Sequence, residues 1–287
     1  MDRKFAALSM DVEDWYHLDC LQSCNPDTSK SMLDGFVNYA EMLNRHGIKA
    51  TFFVLGELAQ QARETLLYLD GCGHEIACHG MHHTPPTSLS PAAFAEQLRC
   101  AKQTLEDLLG KEVTGYRAPQ NALDDERLAI VQKIGFHYDA SWLDAPEHPI
   151  SRRLHFSGWE EPLPGTRWRD GFCELPLCGS TLLGRPLCIS GGGWMHVLPW
   201  HGVMKPLIAA YLREARVYTL CAYPFEFSDR AMPSLSGVSL QTRLRVLKSP
   251  GAMERRVEQL IDMLERHAFE FATFEDLSHQ LRREARP

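Results

Sequence analysis

Nowhere in the chain do about 18 apolar residues run together, so the sequence predicts no membrane-spanning helix. Basic charge is not in excess either. Thirty Lys and Arg stand against 37 Asp and Glu, a net charge of -7, which argues against a nucleic-acid-binding surface. The amino terminus, Met1-Asp2-Arg3-Lys4-Phe5, lacks an apolar segment before its first strand, so no secretory signal and a cytoplasmic location are expected. The nine cysteines include no Cys-x-x-Cys pair. Most lie in apolar runs and read as reduced core thiols, not as a disulfide frame or a zinc ribbon. Internal repeats and low-complexity segments are missing too. What remains, 44% hydrophobic and 23% charged residues in a chain of 287, is ordinary globular composition, enough for one large α/β barrel or two small domains.

Hydrophobic periodicity predicts strands at residues 5–10, 50–55, 76–78, 112–116, 136–139, 217–221 and 270–272. Helices are predicted at 31–46, 57–69, 91–109, 124–134, 199–215, 250–267 and 274–281. Ser90 before Pro91 reads as an N-cap, Gly47 and Gly135 as helix stops, and Asn25-Pro26-Asp27 as a turn. This alternation implies βα units and a mainly parallel sheet. Residues 143–200 differ. They are rich in Pro, Gly and Trp, with short strands at 174–176 and 187–189, and read as an elaborated loop region within a single domain spanning 1–287. Polar clusters fall at strand ends, the face of a β/α barrel that carries chemistry.

The densest cluster is Gly73-His74-Glu75-Ile76-Ala77-Cys78-His79-Gly80-Met81-His82-His83, with four histidines in eleven residues. His79 and His83, with one carboxylate from Asp11-Val12-Glu13-Asp14, would give a catalytic metal three protein ligands and leave a position open. His74-Glu75 begins like the zincin helix His-Glu-x-x-His, but the fifth residue is Cys78, and 76–78 reads as a buried strand. The alternative is a set of loop-capping histidines.

Further motifs accompany this cluster. Ser9-Met10-Asp11-Val12-Glu13-Asp14-Trp15-Tyr16 is similar to Thr-x-Asp-Val-Glu-Asp-Trp/Tyr-Phe, and Ala50-Thr51-Phe52-Phe53-Val54-Leu55-Gly56 to the strand that follows it. His79-Gly80-Met81-His82-His83 resembles His-Ser/Thr-x-x-His, and Arg117-Ala118-Pro119 resembles Arg-x-Pro. Tyr138-Asp139-Ala140-Ser141-Trp142, Gly191-Gly192-Gly193-Trp194 and Tyr223-Pro224-Phe225-Glu226-Phe227 complete the series. Together, over about residues 5–280, these resemble the polysaccharide deacetylase family (NodB homology, carbohydrate esterase family 4), in particular the branch found in exopolysaccharide and O-antigen gene clusters.

The resemblance implies a distorted (β/α)7 barrel and a metal-dependent hydrolase that removes N- or O-acetyl groups from a sugar or glycan precursor. It implies Asp11 as general base, Arg117 as its orienting partner, and His79, His83 and Asp14, or Glu13 in place of Asp14, as ligands of a divalent metal. Zinc is first choice, with cobalt or nickel as alternatives. A backbone N–H near Gln120 would hold the oxyanion, and Trp142 falls in the substrate-contacting motif. The leaving amine also needs a proton. The family carries His just before the Pro of the late motif, where this chain has Tyr223. Either Tyr223 donates that proton, or another histidine such as His196 or His201 does, or the barrel binds a glycan or partner with little or no turnover. Gln120, where an aromatic residue is usual, implies an altered pocket. A non-sugar amidase of the allantoinase-like kind is a third reading.

Overall fold

The structure, a computed structural model, describes residues 3–18, 21, 27–145, 148, 153–191, 193–233, 235, 238, 239, 242, 243, 246 and 251–284. Asn25, Pro26, Gly192, Pro250 and two of the cysteines, Cys20 and Cys24, lie outside the described residues.

Strand β1 (Lys4–Val12) is the centre of the sheet. All but its first residue are buried, as expected of a parallel strand covered on both faces. One edge pairs with β11 (Val217–Ala222), Phe5 opposite Val217 through Met10 opposite Ala222. The other edge is divided between β12 (Phe269–Ala272) along residues 4–7 and β2 (Thr51–Val54) along residues 9–12. From β2 the sheet continues through β3 (Glu75–Cys78), β4 (Gly115–Tyr116), β5 (Tyr138–Asp139) and β8 (Phe172–Glu174). Every one of these pairings is parallel, and an antiparallel β7 (Arg167–Arg169) forms the far edge. A three-stranded sheet, β6 (Leu143–Asp144), β9 (Leu177–Leu182) and β10 (Arg185–Cys188), lies beside β11. Thr219 Oγ1 donates to Pro176 O (2.6 Å) and Cys221 N–H to Ser190 O (2.7 Å), joining the two sheets. The result is a distorted (β/α) barrel. Strands from both halves of the chain share it.

Helices α1 (Asp34–Arg45), α2 (Arg63–Gly71), α3 (Pro91–Leu109), α4 (Asp125–Ile134), α5 (Lys205–Glu214), α6 (Ala252–Arg266) and α7 (Phe274–Glu284) cover the sheet. Ser90 caps α3 by accepting from Ala93 N–H, Asp124 caps α4, and Gly135 ends α4 at φ 102°. Among the described residues no helix is long and apolar enough to cross a membrane. The described cysteines are free thiols, and Cys78, Cys173, Cys178 and Cys221 are buried.

The strand expected at 174–176 falls instead on either side, in β8 and β9, and that expected at 136–139 shortens to β5. Three further elements differ from expectation for a tertiary reason. The helix expected at 57–69 begins only at Arg63, because Gly56 and Glu57 donate their N–H groups to Gly80 O (2.9 Å) and Met81 O (3.0 Å) of the histidine loop. The strand expected at 112–116 shrinks to two residues, because α3 captures Val113. Lys102 Nζ donates to its carbonyl (2.6 Å), and its N–H donates to Glu106 (3.0 Å). The helix expected at 199–215 has a wider turn at Trp200–Met204 before α5, where Pro206 lacks the N–H that would continue the α pattern.

At the N-terminal end of the strands Glu75 ties four elements together. Its carboxyl accepts from Thr51 Oγ1 (2.6 Å), Tyr138 OH (2.5 Å) and Glu275 N–H (2.9 Å). Burial outweighs these bonds and pushes its pKa from 4.5 up to about 7. The folded protein therefore retains a proton that the unfolded chain releases, so stability should fall as pH rises from about 4.5 to about 7, by up to about 3 kcal/mol. Urea midpoints measured at pH 5 and pH 8 should differ less for Glu75→Gln than for the parent. Tyr138 reaches Glu75 by crossing Gly115, where an added Cβ would lie 2.0 Å from the phenol oxygen. Gly115→Ala should cost about 3 kcal/mol or more, seen as a lowered thermal midpoint.

Candidate metal centre and active site

The C-terminal ends of β1, β3, β4 and β11 meet around a cleft of about 270 Å³. Asp11, Glu13, His79, His83, Gln120, Cys221 and Tyr223 line it, with Leu18, Leu143, Leu177 and Trp194 as an apolar wall. Strand alternation brings Ser9 and Asp11 to one face of β1. Arg117, fully buried just after β4, meets them there. Its Nη1 donates to Asp11 Oδ1 (2.7 Å) and Ser9 Oγ (2.8 Å), and its Nε to Ala140 O (3.0 Å). The guanidinium lies over the Phe53 ring at 4.0 Å. Burial works against an ionised Asp11. Arg117, then His79, outweighs it and holds the carboxyl below its usual range.

His79 follows β3 and is oriented by its second nitrogen. Nδ1 lies 2.9 Å from Arg117 O, an acceptor only, so the ring proton sits on Nδ1 and the Nε2 lone pair is left for a ligand. That buried Nε2 has no hydrogen-bond partner. Burial pushes the His79 pKa down to about 4, which keeps the ring neutral, as a ligand must be. His83 Nε2 lies 2.6 Å from Glu13 Oε2. Burial opposes charge on His83, but Glu13 and Asp11 raise its pKa on balance.

Glu13, His79 and His83 each present a ligand atom within 4.8 Å of the other two. Two imidazoles and one carboxylate suit zinc, cobalt or nickel, and the partnerless Nε2 shows that the site fits such an ion. Asp14, put first as the carboxylate ligand, is not in this group. Its Oδ1 accepts from Trp15 N–H (2.9 Å) and Met32 N–H (2.8 Å), and it caps the short turn Trp15–His17. Asp14 Oδ2 makes no hydrogen bond, but among the described residues only Glu13 joins the two histidines. His74 and His82 serve elsewhere. His74 Nδ1 accepts from Ala50 N–H (3.1 Å), and His82 pairs with Glu57 (2.7 Å).

Gln120 and Asn121 line the cleft with left-handed backbone, φ 56° and 51°, a conformation that costs most residues energy and gathers at functional sites. The buried Asn121 Oδ1 has no partner. Trp142, expected to contact substrate, is instead packed in an aromatic cluster with Phe156 (4.9 Å between centroids) beneath Arg167, outside the cleft lining. Tyr223 lines the cleft and begins the helical turn Pro224–Phe227, its N–H donating to Glu226 (2.8 Å). Burial, then Cys221, Asp11, Glu13 and Glu226, drives its pKa far above 10. His196 is occupied with Glu226 (2.6 Å) and His201 is exposed. Neither lines the cleft.

Cys221 and His148 are among the cleft residues that the sequence pattern does not mark. The Cys221 thiol donates to Asp11 Oδ2 (3.2 Å), a contact that the register of β11 on β1 makes, with Ser9 opposite Cys221. His148 reaches the cleft from the irregular stretch after β6, where no periodicity marks it. A larger hollow of about 440 Å³ lies between α1 and α6 and holds no such trio. Arg45 and Glu254 pair across it (2.7 Å).

Residues 31–138 match the family model described as polysaccharide deacetylase, and residues 150–279 match one described as a domain of unknown function, DUF3473. A peptidoglycan deacetylase-like protein of Gibberella zeae is 30% identical over 163 residues, 51% of this chain and 48% of that protein. The chain spans about half the length of the curated relatives it matches. Among solved structures, PuuE allantoinase superposes with a TM-score of 0.65 at 15% identity, covering 100% of this chain and 92% of that one. A CE4-family pseudoenzyme from Bacillus anthracis gives 0.54 at 12% identity, covering 96% and 66%. At these identities the superpositions speak for the fold alone. Residues 31–138 thus carry a polysaccharide deacetylase domain match that includes His79 and His83, and β1 brings Asp11 and Glu13 against them in the same barrel.

Proposed function

We propose that the whole chain forms one catalytic barrel, a cytoplasmic metal-dependent hydrolase that removes an N- or O-linked acetyl group from a sugar or glycan precursor of cell-surface polysaccharide. One juxtaposition carries this reading. The partnerless His79 Nε2, with Glu13 and His83, lies in the same cleft as the ion-paired Asp11 and Arg117.

A divalent cation held by Glu13, His79 and His83 would polarise the acyl carbonyl and make water more acidic. The chain's own residues do the rest. Asp11, kept ionised by Arg117, takes a proton from the attacking water. The backbone by Gln120 offers an N–H to the oxyanion, worth about 3 kcal/mol in comparable sites. The Trp194 ring offers a face for a sugar, and Leu143 and Leu177 an apolar recess for the acetyl methyl.

The second reading, a barrel that binds a glycan without turnover, draws on Tyr223, whose high pKa makes it a poor proton donor. Acetate release from a panel of acetylated sugars, with zinc, cobalt or nickel added, separates the two. Under the hydrolase reading the parent releases acetate and His79→Ala does not. Under the binding reading the parent retains sugar and metal, releases nothing, and gains turnover on Tyr223→His. Asp11→Asn should lower kcat by about 100-fold to 10,000-fold with metal content unchanged. Elemental analysis should find one metal per chain in the parent and in Asp14→Ala, and none in Glu13→Gln or His79→Ala. Asp14→Ala should lose about 1 kcal/mol of stability with its cap.

A further inference from the structure

The amine expelled from a tetrahedral intermediate needs a proton as the C–N bond breaks, so an amide-cleaving cleft must hold an acid as well as a base. The groups lining this cleft limit the choice. Asp11 is paired with Arg117 (2.7 Å) and is taken as the base. His79 and His83 stand with Glu13 as ligands. Burial raises the Cys188 thiol to about 12, and raises Cys221 and Tyr223 well above their ordinary values. His196 and His201 do not line the cleft. The remaining imidazole among the cleft residues is His148.

We propose that His148 is the general acid of this site and donates its ring proton to the leaving amine nitrogen; the proposal rests on the deacetylase reading above. The placement of His148 is built into the fold. Pairing of β6 with β9 sets Leu143 opposite Leu177, and both side chains line the cleft. Beyond β6, Ala145 N–H donates to Leu143 O (2.7 Å) and His148 N–H to Ala145 O (2.8 Å). His148 lines the same cleft as Leu143, Asp11 and the two histidines. Burial lowers the pKa of the half-buried His148 ring, so its imidazolium is a stronger acid than a free one while less of it is protonated at neutral pH.

The protons balance. Water forms the new C–O bond and loses one proton to Asp11, the C–N bond breaks, and the imidazolium proton of His148 goes to the nitrogen. Asp11 then returns its proton to His148 through solvent, leaving acetic acid and amine, which become acetate and ammonium on proton transfer, from amide and water.

The test compares the parent, His148→Ala and Tyr223→Phe on two substrates, an N-acetylated amino sugar and 4-nitrophenyl acetate, with metal content measured for each protein. The nitrophenolate leaves without a proton, so loss of the acid should spare the ester. His148→Ala should lower kcat on the amide by about 100-fold or more, spare the ester, retain its metal, and recover part of the amide rate on addition of imidazole. Equal losses on both substrates, or an unchanged amide rate, would overturn the assignment. So would an amide-selective loss in Tyr223→Phe in place of His148→Ala. A parent that binds metal but cleaves neither substrate would overturn the deacetylase reading itself, and the His148 role with it.

Discussion

The buried ion pair of Arg117 and Asp11 is the interaction on which the site depends. Taking two charges out of water is costly, and the pair persists only because its geometry is nearly filled. Arg117 donates to Asp11, Ser9 and Ala140 O, and its face lies on Phe53 with Phe274 beside it. These contacts join β1, β4, the end of β5, β2 and α7. The Arg117 carbonyl also accepts from His79, so one residue holds the Asp11 carboxylate with its side chain and the His79 ring with its backbone. Arg117 thereby links the Asp11 side of the cleft to the Glu13–His79–His83 group.

Other buried carboxyls support this arrangement. Burial raises the pKa of Glu174 well above its usual value and that of Asp139 to about 6, and Asp139 accepts from Ser141 N–H (2.9 Å) and Oγ (2.8 Å). Ser141 Oγ in turn accepts from Ala118 N–H (2.8 Å), next to Arg117. Glu174 also accepts from Trp142 N–H, so the backbone that follows β5 is fixed from below. At the opposite end of the barrel Glu75 joins β2, β3, β5 and α7 and faces no cleft. The two ends divide stability from chemistry, as expected for barrels of this kind.

The cleft holds the ion-paired Asp11 and Arg117 and the donor atoms of Glu13, His79 and His83, and has Tyr223 where the motif it resembles has His. Tyr223 is held by its own helical turn. Gly35 of α1 lets that turn approach, since a Cβ there would lie 1.8 Å from Pro224 O. His148 follows β6 of the second sheet and lies between the two matched stretches, 31–138 and 150–279.

Sequence alone determined the features that depend on near neighbours. The βα alternation, the buried β1, the caps at Ser90 and Asp124, the stop at Gly135 and the four-residue spacing of His79 and His83 all follow from periodicity and side-chain type within one element. Tertiary structure decided whatever depends on direction at the end of an element. Glu13 and Asp14 are neighbours with the same chemistry, and only the turn at Trp15–His17, tied to Met32, sends Asp14 to the backbone and leaves Glu13 with the histidines. Trp142 follows the same rule, since packing against Phe156 turns it away from the cleft. Cys221 reaches the site through the register of β11 on β1, and His148 follows a β6 that is placed by its pairing with β9, contacts among residues far apart in the chain, which local periodicity does not encode.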